Sequence, residues 1–265
     1  MSGTRENEQP DGLLCSGRFG RYTFRLARRP AAYSQFPYGS FMPDPDPVAL
    51  LETATSAARI GGDILMRYFR NGVEIRNKSA VGGKAYDLVS DADIESEQAV
   101  AGHLRGAYPS HELLGEEALS TGSPDAEHLW IIDPLDGTNN FAHQLPHFAV
   151  SIAYYYRGQA VVGVVLNPVR NELFTAIRGS GAFHDGQPVR VSDAATLSKT
   201  LIGCGFYYDR GAMMRSTLAA IEQFFGKDIH GIRRFGTAAL DLCPVSYTHL
   251  TLPTTCRVCC SRGWA

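Results

Sequence analysis

The segment WIIDPLDGTNNF, residues 130–141, places two carboxylates where an apolar stretch ends. Asp133 and Asp136 are separated by Pro134 and Leu135, and Asp-Pro and Asp-Gly pairs are also common turn signals. Carboxylates together with one backbone carbonyl, here that of Leu135, are the hard oxygen ligands that Mg²⁺ prefers. The segment alone supports two interpretations, an ordinary surface turn and a metal site.

A second apolar stretch, residues 113–115, ends in the adjacent acids Glu116 and Glu117. Adjacent glutamates usually lie in a solvated loop. If both stretches are strands of one sheet, however, they bring four carboxylates to one edge, and cations are needed to neutralise such a charge density. The two segments together therefore favour the metal site.

A third acidic segment contains Asp91 and Asp93 at the predicted start of a helix. Ser90 or Asp91 is a suitable N-cap, and the helix dipole favours Asp93 in the first turn. The functional interpretation is that Asp93 orients a water molecule for attack. A rival interpretation takes Asp91-x-Asp93 as the nucleophile motif of a haloacid-dehalogenase-like phosphatase. We disfavour the rival because the strand that precedes the motif is short and carries Asp87.

Helices and a mostly antiparallel sheet must position these acids in the first half of the chain, residues 46–190. Apolar residues at helical spacing predict helices at about 47–70 and 92–107. Strands are predicted as well, with Asn167-Pro168 and Asp185-Gly186 at hairpin turns, and the strand at 147–156 alternates as a half-buried strand does. The strands are expected at about 111–115, 128–132, 147–156, 160–166 and 171–177.

The second half, residues 197–243, has a different order of elements. A strand, a helix, a strand and a helix are expected at about 201–205, 212–225, 229–235 and from Gly236 onward. This order is typical of a βαβ unit with parallel strands. The predicted fold class is therefore α/β with α+β layering, in one domain over residues 46–243.

Three motifs, taken together and in this order, resemble those of the inositol monophosphatase family. They are Gly115-Glu116-Glu117, Asp133-Pro134-Leu135-Asp136-Gly137-Thr138 and Gly236-Thr237-Ala238-Ala239. The resemblance covers about residues 47–243. It implies the αβαβα sandwich that this family shares with fructose-1,6-bisphosphatases, incomplete here at the C-terminus. It also implies a Mg²⁺-dependent, lithium-sensitive phosphatase.

The resemblance further implies which residues bind the metal ions. Glu116, Asp133 and the Leu135 carbonyl would bind a first Mg²⁺, with Glu117 close by as part of the catalytic group. Asp133 and Asp136 would share a second Mg²⁺. The predicted cofactor is therefore Mg²⁺.

The remaining implied roles concern water and substrate. Asp93 and Thr138 would position the attacking water, and the N–H groups of Gly137 and Thr138 would hold phosphate oxygens. Ala238 would offer its backbone to the substrate. Metal ions can activate water, neutralise phosphate and stabilise the leaving oxygen, so these roles suit the hydrolysis of a phosphate monoester.

The predicted function is Mg²⁺-dependent hydrolysis of a small phosphorylated metabolite, similar to inositol 1-phosphate, by a phosphoric monoester hydrolase. Histidinol phosphate and fructose 1,6-bisphosphate are alternative substrates for the same fold. An alternative of another class is a non-catalytic regulatory protein that retains the fold.

Beyond Cys243 the sequence departs from the family pattern. The family continues to a Trp-Asp-x-Ala-Ala-Gly motif whose aspartate completes the second metal site, whereas no acid follows Asp241 here. Pro244 should end the preceding helix. We interpret residues 244–265 as an aberrant tail, from a truncation or frame shift, and expect the activity of this chain to be impaired.

The composition is that of an ordinary globular protein, with 44% hydrophobic and 20% charged residues. A net charge of −2 gives no general attraction to nucleic acid or anionic membranes, and no apolar run is long enough to span a bilayer. We expect a cytoplasmic homodimer with no nucleic-acid or membrane partner. Residues 1–45 are expected to be a disordered leader or upstream sequence, and organellar targeting by their arginines is an alternative.

Overall fold

A computed structural model gives the helices and strands of the chain. It describes residues 16–19, 22–25, 46–72, 75–77, 88–117, 119, 122–206, 211–246 and 250–251. The helices are α1 (Pro47–Asn71), α2 (Asp91–Ala107), α3 (Thr138–Ala142), α4 (Ala212–Phe225) and α5 (Ala238–Leu242). The first strands are β1 (Ser16–Phe19), β2 (Tyr22–Arg25), β3 (Ile75–Asn77), β4 (Leu88–Ser90), β5 (Glu112–Gly115), β6 (His128–Asp136) and β7 (Ala149–Tyr156). The others are β8 (Gln159–Asn167), β9 (Glu172–Ile177), β10 (Gly181–His184), β11 (Gln187–Pro188), β12 (Leu201–Gly203), β13 (Gly231–Arg233) and β14 (Leu250–Thr251).

A seven-stranded sheet with the order β11-β10-β9-β8-β7-β6-β5 carries the candidate site. Its pairs are antiparallel except for β5 and β6, which run parallel. Helix α1 packs on β7 and β8, and α2 packs on α1 and β6. The core between the helices and the sheet buries Trp130, Tyr154, Phe141 and Phe148 completely.

Three phenylalanines anchor the segment that follows β6 to helix α1. The ring of Phe69 in α1 lies 5.7 Å from that of Phe141 and 5.0 Å from that of Phe148, centroid to centroid. Phe141 and Phe148 meet edge to face at 5.0 Å. Tilted and edge-to-face pairs are favoured ring geometries, so this cluster fixes short helix α3 against the core.

The predicted strands of the first half are confirmed, and so are the helices and both hairpin turns. Strand β6 differs from the prediction because it continues past Ile132 to Asp136 instead of ending before the acids. A register shift between Asp133 and Asp136 removes Pro134 from the ladder, and a proline has no N–H to donate there. Strand β7 is also more buried than predicted, because residues 149–154 are covered on both faces.

The predicted βαβ unit of the second half is confirmed. Strands β12 and β13 pair in parallel, and α4 lies between them in sequence. Helix α5 ends at Leu242, as predicted from Pro244, which has no N–H to continue the helix, and a 3₁₀ turn follows over Cys243–Ser246. Strand β14, within the predicted aberrant tail, pairs in parallel with the other edge of β12.

Within the predicted leader, β1 and β2 pair with each other in a two-stranded sheet of their own. The rest of the leader and the last residues of the tail lie outside the described residues, so their interpretation stays a prediction. Among the helices of the described ranges, none has both the length and the apolar character that crossing a membrane requires.

Helix α4 exposes apolar side chains. None of its residues is buried, and Leu218 and Phe225 are 48% and 59% exposed. Contiguous exposed apolar surface promotes association. We therefore expect the chain to associate in a concentration-dependent way through this helix.

The double substitution Leu218→Lys/Phe225→Lys is expected to reduce this association. Because lysine is a good helix former and both positions are exposed, the free energy of unfolding should change by less than about 0.5 kcal/mol for each substitution. Sedimentation velocity over a range of protein concentrations measures the association, and Gln223→Lys, at an exposed polar position of α4, is the control. Equal association in the double variant and the control would contradict the prediction.

Candidate active site

The parallel pair β5 and β6 brings the two acidic segments to one end of the sheet. Gly115, the last residue of β5, pairs with Ile132 in the register, so Glu116 is the first residue after β5 and Asp133 is the next residue on β6. Glu116 and Glu117 are half-buried, in the loop that leaves β5. The structure thus confirms that both apolar stretches are neighbouring strands that end in acids at the same edge.

Asp133 and Asp136 lie on either side of the bulge in β6. They pair with Ser151 and Ala149 of β7, and are only 2% and 4% exposed. The Leu135 N–H donates to Asp133 Oδ1 at 3.2 Å. Buried carboxylates need hydrogen bonds or opposite charges to offset their desolvation, and backbone N–H groups supply part of this compensation.

Gly137 and Thr138 follow directly. Gly137 has a φ of 98°, and a β-carbon there would lie 3.0 Å from Thr237 Cγ2, so the position favours glycine on both counts. The Thr138 hydroxyl donates to the Leu135 carbonyl oxygen at 3.1 Å. The threonine predicted to position water is therefore bonded to the carbonyl predicted to bind metal.

The second half of the chain reaches this site through the start of α5. The Ala239 N–H donates to Asp136 Oδ2 at 2.7 Å, and the Thr237 side chain caps the helix by accepting from the Leu240 N–H. Ala238, the residue predicted to contact substrate, lies between these two anchored positions and is half-buried.

Asp93 lies in the first turn of α2 and is buried. Helix α3 contacts β4, whose last residue immediately precedes α2. This contact brings the helix of Thr138 to the segment that leads into Asp93. Asp91 is exposed, and β4 pairs antiparallel with β3 in a two-stranded sheet. The haloacid-dehalogenase-like interpretation needs a strand inside a doubly wound sheet, so this placement contradicts it.

The side chains of the predicted metal ligands are not all gathered at one point. Among the described residues, no group of three or more histidine, cysteine, aspartate or glutamate side chains is placed so that it can hold a metal ion. The donors still match Mg²⁺ in kind, since Asp133 and Asp136 are buried carboxylates beside the Leu135 carbonyl. The ligand set and the roles of Asp93, Glu117, Gly137, Thr138 and Ala238 therefore stay predictions.

Two buried acids near these residues were not singled out from the sequence. Glu97 of α2 accepts hydrogen bonds from the loop that carries Glu116 and Glu117. Asp241 of α5 has its pKa raised to about 7 by burial and by the negative charge of Asp136. Two further buried acids, Glu97 and Asp241, therefore lie near the residues of the motifs.

Burial, together with the charge of Asp136, also raises the pKa of the Cys243 thiol to about 12.

Asn140 joins α3 to the second half of the chain. Its side-chain Nδ2 donates to the His147 carbonyl at 2.8 Å and to the Phe235 carbonyl at 2.7 Å. A β-carbon at Gly236 would lie 3.0 Å from both side-chain polar atoms of Asn140. One amide group thus holds the segment 235–239 against the loop that follows β6.

Asn140→Ala is expected to lower the free energy of unfolding by about 1–3 kcal/mol, because two carbonyl groups lose their donor. Urea unfolding of the variant and the unmodified chain measures the change. Asn139→Ala is the matched control, since Asn139 is the exposed neighbour in the same helix. An equal loss in both variants would contradict a specific role for the Asn140 side chain.

Solved structures share this layered α/β fold. The crystal structure of the extragenic suppressor protein suhB from Bartonella henselae is 39% identical, with a TM-score of 0.69 over 76% of this chain and 75% of that chain. The structure of a Thermotoga maritima IMPase is 30% identical, with a TM-score of 0.68 over 80% of each chain. The fold class predicted from the sequence is therefore confirmed.

The family model described as "Inositol monophosphatase family" matches residues 46–251. The chain belongs to the inositol monophosphatase family. The "Nus factor SuhB" of Pseudomonas aeruginosa is 41% identical over 202 residues, which are 74% of this chain and 73% of the relative. The "Inositol-1-monophosphatase" of Mesorhizobium japonicum is 39% identical over 198 residues, which are 75% of this chain and 73% of the relative.

Proposed function

We propose that this protein hydrolyses a small phosphate monoester in a reaction that requires Mg²⁺. The observation that supports this most is the pair of buried carboxylates at the end of β6, with Glu116 leaving the parallel neighbour strand beside them. The relative named inositol-1-monophosphatase supports inositol 1-phosphate as the substrate. Family membership supports a metal-dependent phosphatase.

Four groups would hold the cofactor in this proposal: Glu116, Asp133, the Leu135 carbonyl and Asp136. When bound there, Mg²⁺ would lower the pKa of a bound water molecule and neutralise part of the negative charge of the phosphate. Asp93 and Thr138 orient the attacking water, with Glu117 nearby. The N–H groups of Gly137 and Thr138 and the backbone of Ala238 bind the phosphate ester. No covalent enzyme intermediate is needed.

Release of inorganic phosphate by the purified chain tests the proposal. The substrates are inositol 1-phosphate, histidinol phosphate and fructose 1,6-bisphosphate, each with increasing Mg²⁺ and with EDTA. We expect inositol 1-phosphate to be preferred, EDTA to abolish turnover and added Mg²⁺ to restore it. No release from any of the three, or release that EDTA leaves unchanged, would overturn the proposal.

A second candidate is a regulatory role without catalysis. The Pseudomonas aeruginosa relative is named Nus factor SuhB, at an identity similar to that of the named phosphatase. A folded chain that releases no phosphate from the three esters would favour this candidate. Mg²⁺-dependent turnover would favour the phosphatase.

We also propose that the protein is a homodimer located in the cytoplasm. Sedimentation velocity at low concentration tests the first point, since a dimer has twice the mass of the chain. The α4 double variant described above separates a specific dimer from association through exposed apolar residues. Only a specific dimer is expected to persist in that variant.

A further inference from the structure

Glu97 of α2 is a completely buried acid that contacts the loop after β5. Its Oε1 accepts a hydrogen bond from the Glu117 N–H at 2.9 Å, and its Oε2 accepts from the Leu119 N–H at 3.0 Å. Each carboxylate oxygen therefore has a separate backbone donor in the same short loop. Two attachment points fix both the position and the orientation of that loop.

Gly115 shows how closely this carboxylate packs against the end of β5. A β-carbon at Gly115 would overlap Glu97 Oε1 and lie 2.6 Å from Glu97 Cδ. The Gly115 N–H also donates to the Leu119 carbonyl at 2.8 Å, which closes the loop over the carboxylate. A side chain at position 115 would therefore have to displace the Glu97 carboxylate, which fills the space beside the end of the strand.

After Glu97, the buried face of α2 continues with apolar residues. Ala101 and Leu104, four and seven residues later, are buried on the same face. Burying a carboxylate is costly unless hydrogen bonds compensate it. An apolar side chain at position 97 could therefore fill the space but could not accept hydrogen bonds. The Glu97 carboxylate supplies the two acceptors for the N–H groups of the loop.

We propose that Glu97 is a positioning residue for the candidate active site, which holds the loop of Glu116 and Glu117 at the metal-binding edge. Asp93 lies one helical turn earlier on α2 and is also buried. One rigid helix thereby positions the acid that orients water and the loop that binds metal. The roles of Asp93, Glu116 and Glu117 in this inference rest on the proposed function, whereas the attachment of the loop rests on the contacts above.

Glu97→Gln in the full chain tests the proposal directly. Glutamine keeps the size of the side chain, but its NH₂ group faces an N–H where an acceptor is needed. We expect hydrogen exchange of the Glu117 or Leu119 amide, followed by NMR, to become at least about 10-fold faster, and Mg²⁺ affinity in calorimetry to fall by about 10- to 100-fold.

Glu95→Gln is the matched control. Glu95 lies on the same helix and accepts from the Tyr68 hydroxyl at 2.8 Å and from Arg67 at the surface. Glu95→Gln is the same glutamate-to-glutamine change, but it leaves the hydrogen bonds between Glu97 and the loop intact. Exchange at Glu117 and Leu119 and the affinity for Mg²⁺ are expected to match those of the unmodified chain.

Gly115→Ala is the second variant. It keeps glutamate at position 97, but its added β-carbon displaces the Glu97 carboxylate from the loop. We expect the same faster exchange and the same weaker Mg²⁺ binding. Unchanged exchange and affinity in folded variants would overturn the proposal, and so would faster exchange with unchanged Mg²⁺ affinity. Loss of folding in both variants would assign Glu97 to general stability and would also overturn it.

These measurements separate the failure of this inference from the failure of the proposed function. A chain that binds Mg²⁺ in a Glu97-dependent way but hydrolyses no phosphate ester contradicts the proposed function alone. A chain with Mg²⁺-dependent turnover whose loop and affinity do not respond to Glu97→Gln contradicts the inference alone. A chain without any Mg²⁺ binding contradicts both.

Discussion

Replacing Asp133 by Asn is expected to lower kcat/KM for phosphate-ester hydrolysis by about 10²- to 10³-fold, the effect of removing one preorganised charge from a catalytic site. Asp133 is one of the groups that would hold the cofactor in the proposed function, and the family resemblance implies that it binds both Mg²⁺ ions. Asparagine keeps the shape of the side chain, and its oxygen can still accept from the Leu135 N–H as Asp133 Oδ1 does. The loss would therefore reflect the missing negative charge.

The same substitution is expected to leave the free energy of unfolding unchanged or to raise it in metal-free buffer. Asp133 and Asp136 are both buried at the end of β6, and like charges in a buried site disfavour each other. Functional sites often retain such destabilising groups, so activity and stability should change in opposite directions.

Phosphate release and urea unfolding of the purified variant test both parts of this prediction. Asp125→Asn is the matched control, because Asp125 is exposed in the loop before β6. The control should change neither activity nor stability. Full turnover by Asp133→Asn would contradict the metal role, and low turnover with a stability loss of several kcal/mol would show misfolding instead.

Five strands of the large sheet, β5 to β9, were predictable from local patterns, whereas the short edge strands β10 and β11 were not predicted. Alternating residues predicted β7, and the turns at Asn167-Pro168 and Asp185-Gly186 separate the hairpin strands. The end of β6 was not predictable in this way. Pairing with β7 carries the strand past Pro134 to Asp136 through a bulge, and that pairing is a tertiary effect.

The acids and motifs of the candidate site were also predictable, but the contacts that hold them were not. Ala239 donates to Asp136 across 103 positions of sequence, and no local pattern reports such a bond. Glu97 did carry a signal, since its spacing from Ala101 and Leu104 places it on the buried face of α2. Because an acid in a helix is usually exposed to solvent, the spacing alone did not lead to the prediction that Glu97 is buried.

A second large effect concerns acid stability, and it arises at the opposite end of β6 from Asp133. His111 is 8% exposed and stacks on Tyr108 at 4.7 Å and on His128 at 4.5 Å between ring centroids. The Trp130 Nε1–H donates to His111 Nδ1 at 3.1 Å. Because an indole N–H is a donor only, His111 is neutral here, with its proton on Nε2.

Burial, together with the positive charge of a protonated His128 nearby, lowers the pKa of His111 to about 4. Protonation at Nδ1 would also place a proton against the Trp130 N–H. In the unfolded chain the pKa of histidine is about 6.5, so the unfolded state binds the proton first as the pH falls. The stability contributed by neutral His111 is therefore complete above about pH 6.5 and is lost between about pH 6.5 and pH 4.

The expected loss from His111 over this range is about 3 kcal/mol, at about 1.4 kcal/mol for each pH unit between the two pKa values. His111→Gln removes the titration and keeps an oxygen to accept from Trp130. Urea unfolding at several pH values should therefore show a shallower decline for this variant than for the unmodified chain. His143→Gln, at an exposed histidine, is the control and should keep the steep decline. Parallel declines for all three proteins would mean that carboxylates, and not the buried His111, set the acid limit of this fold.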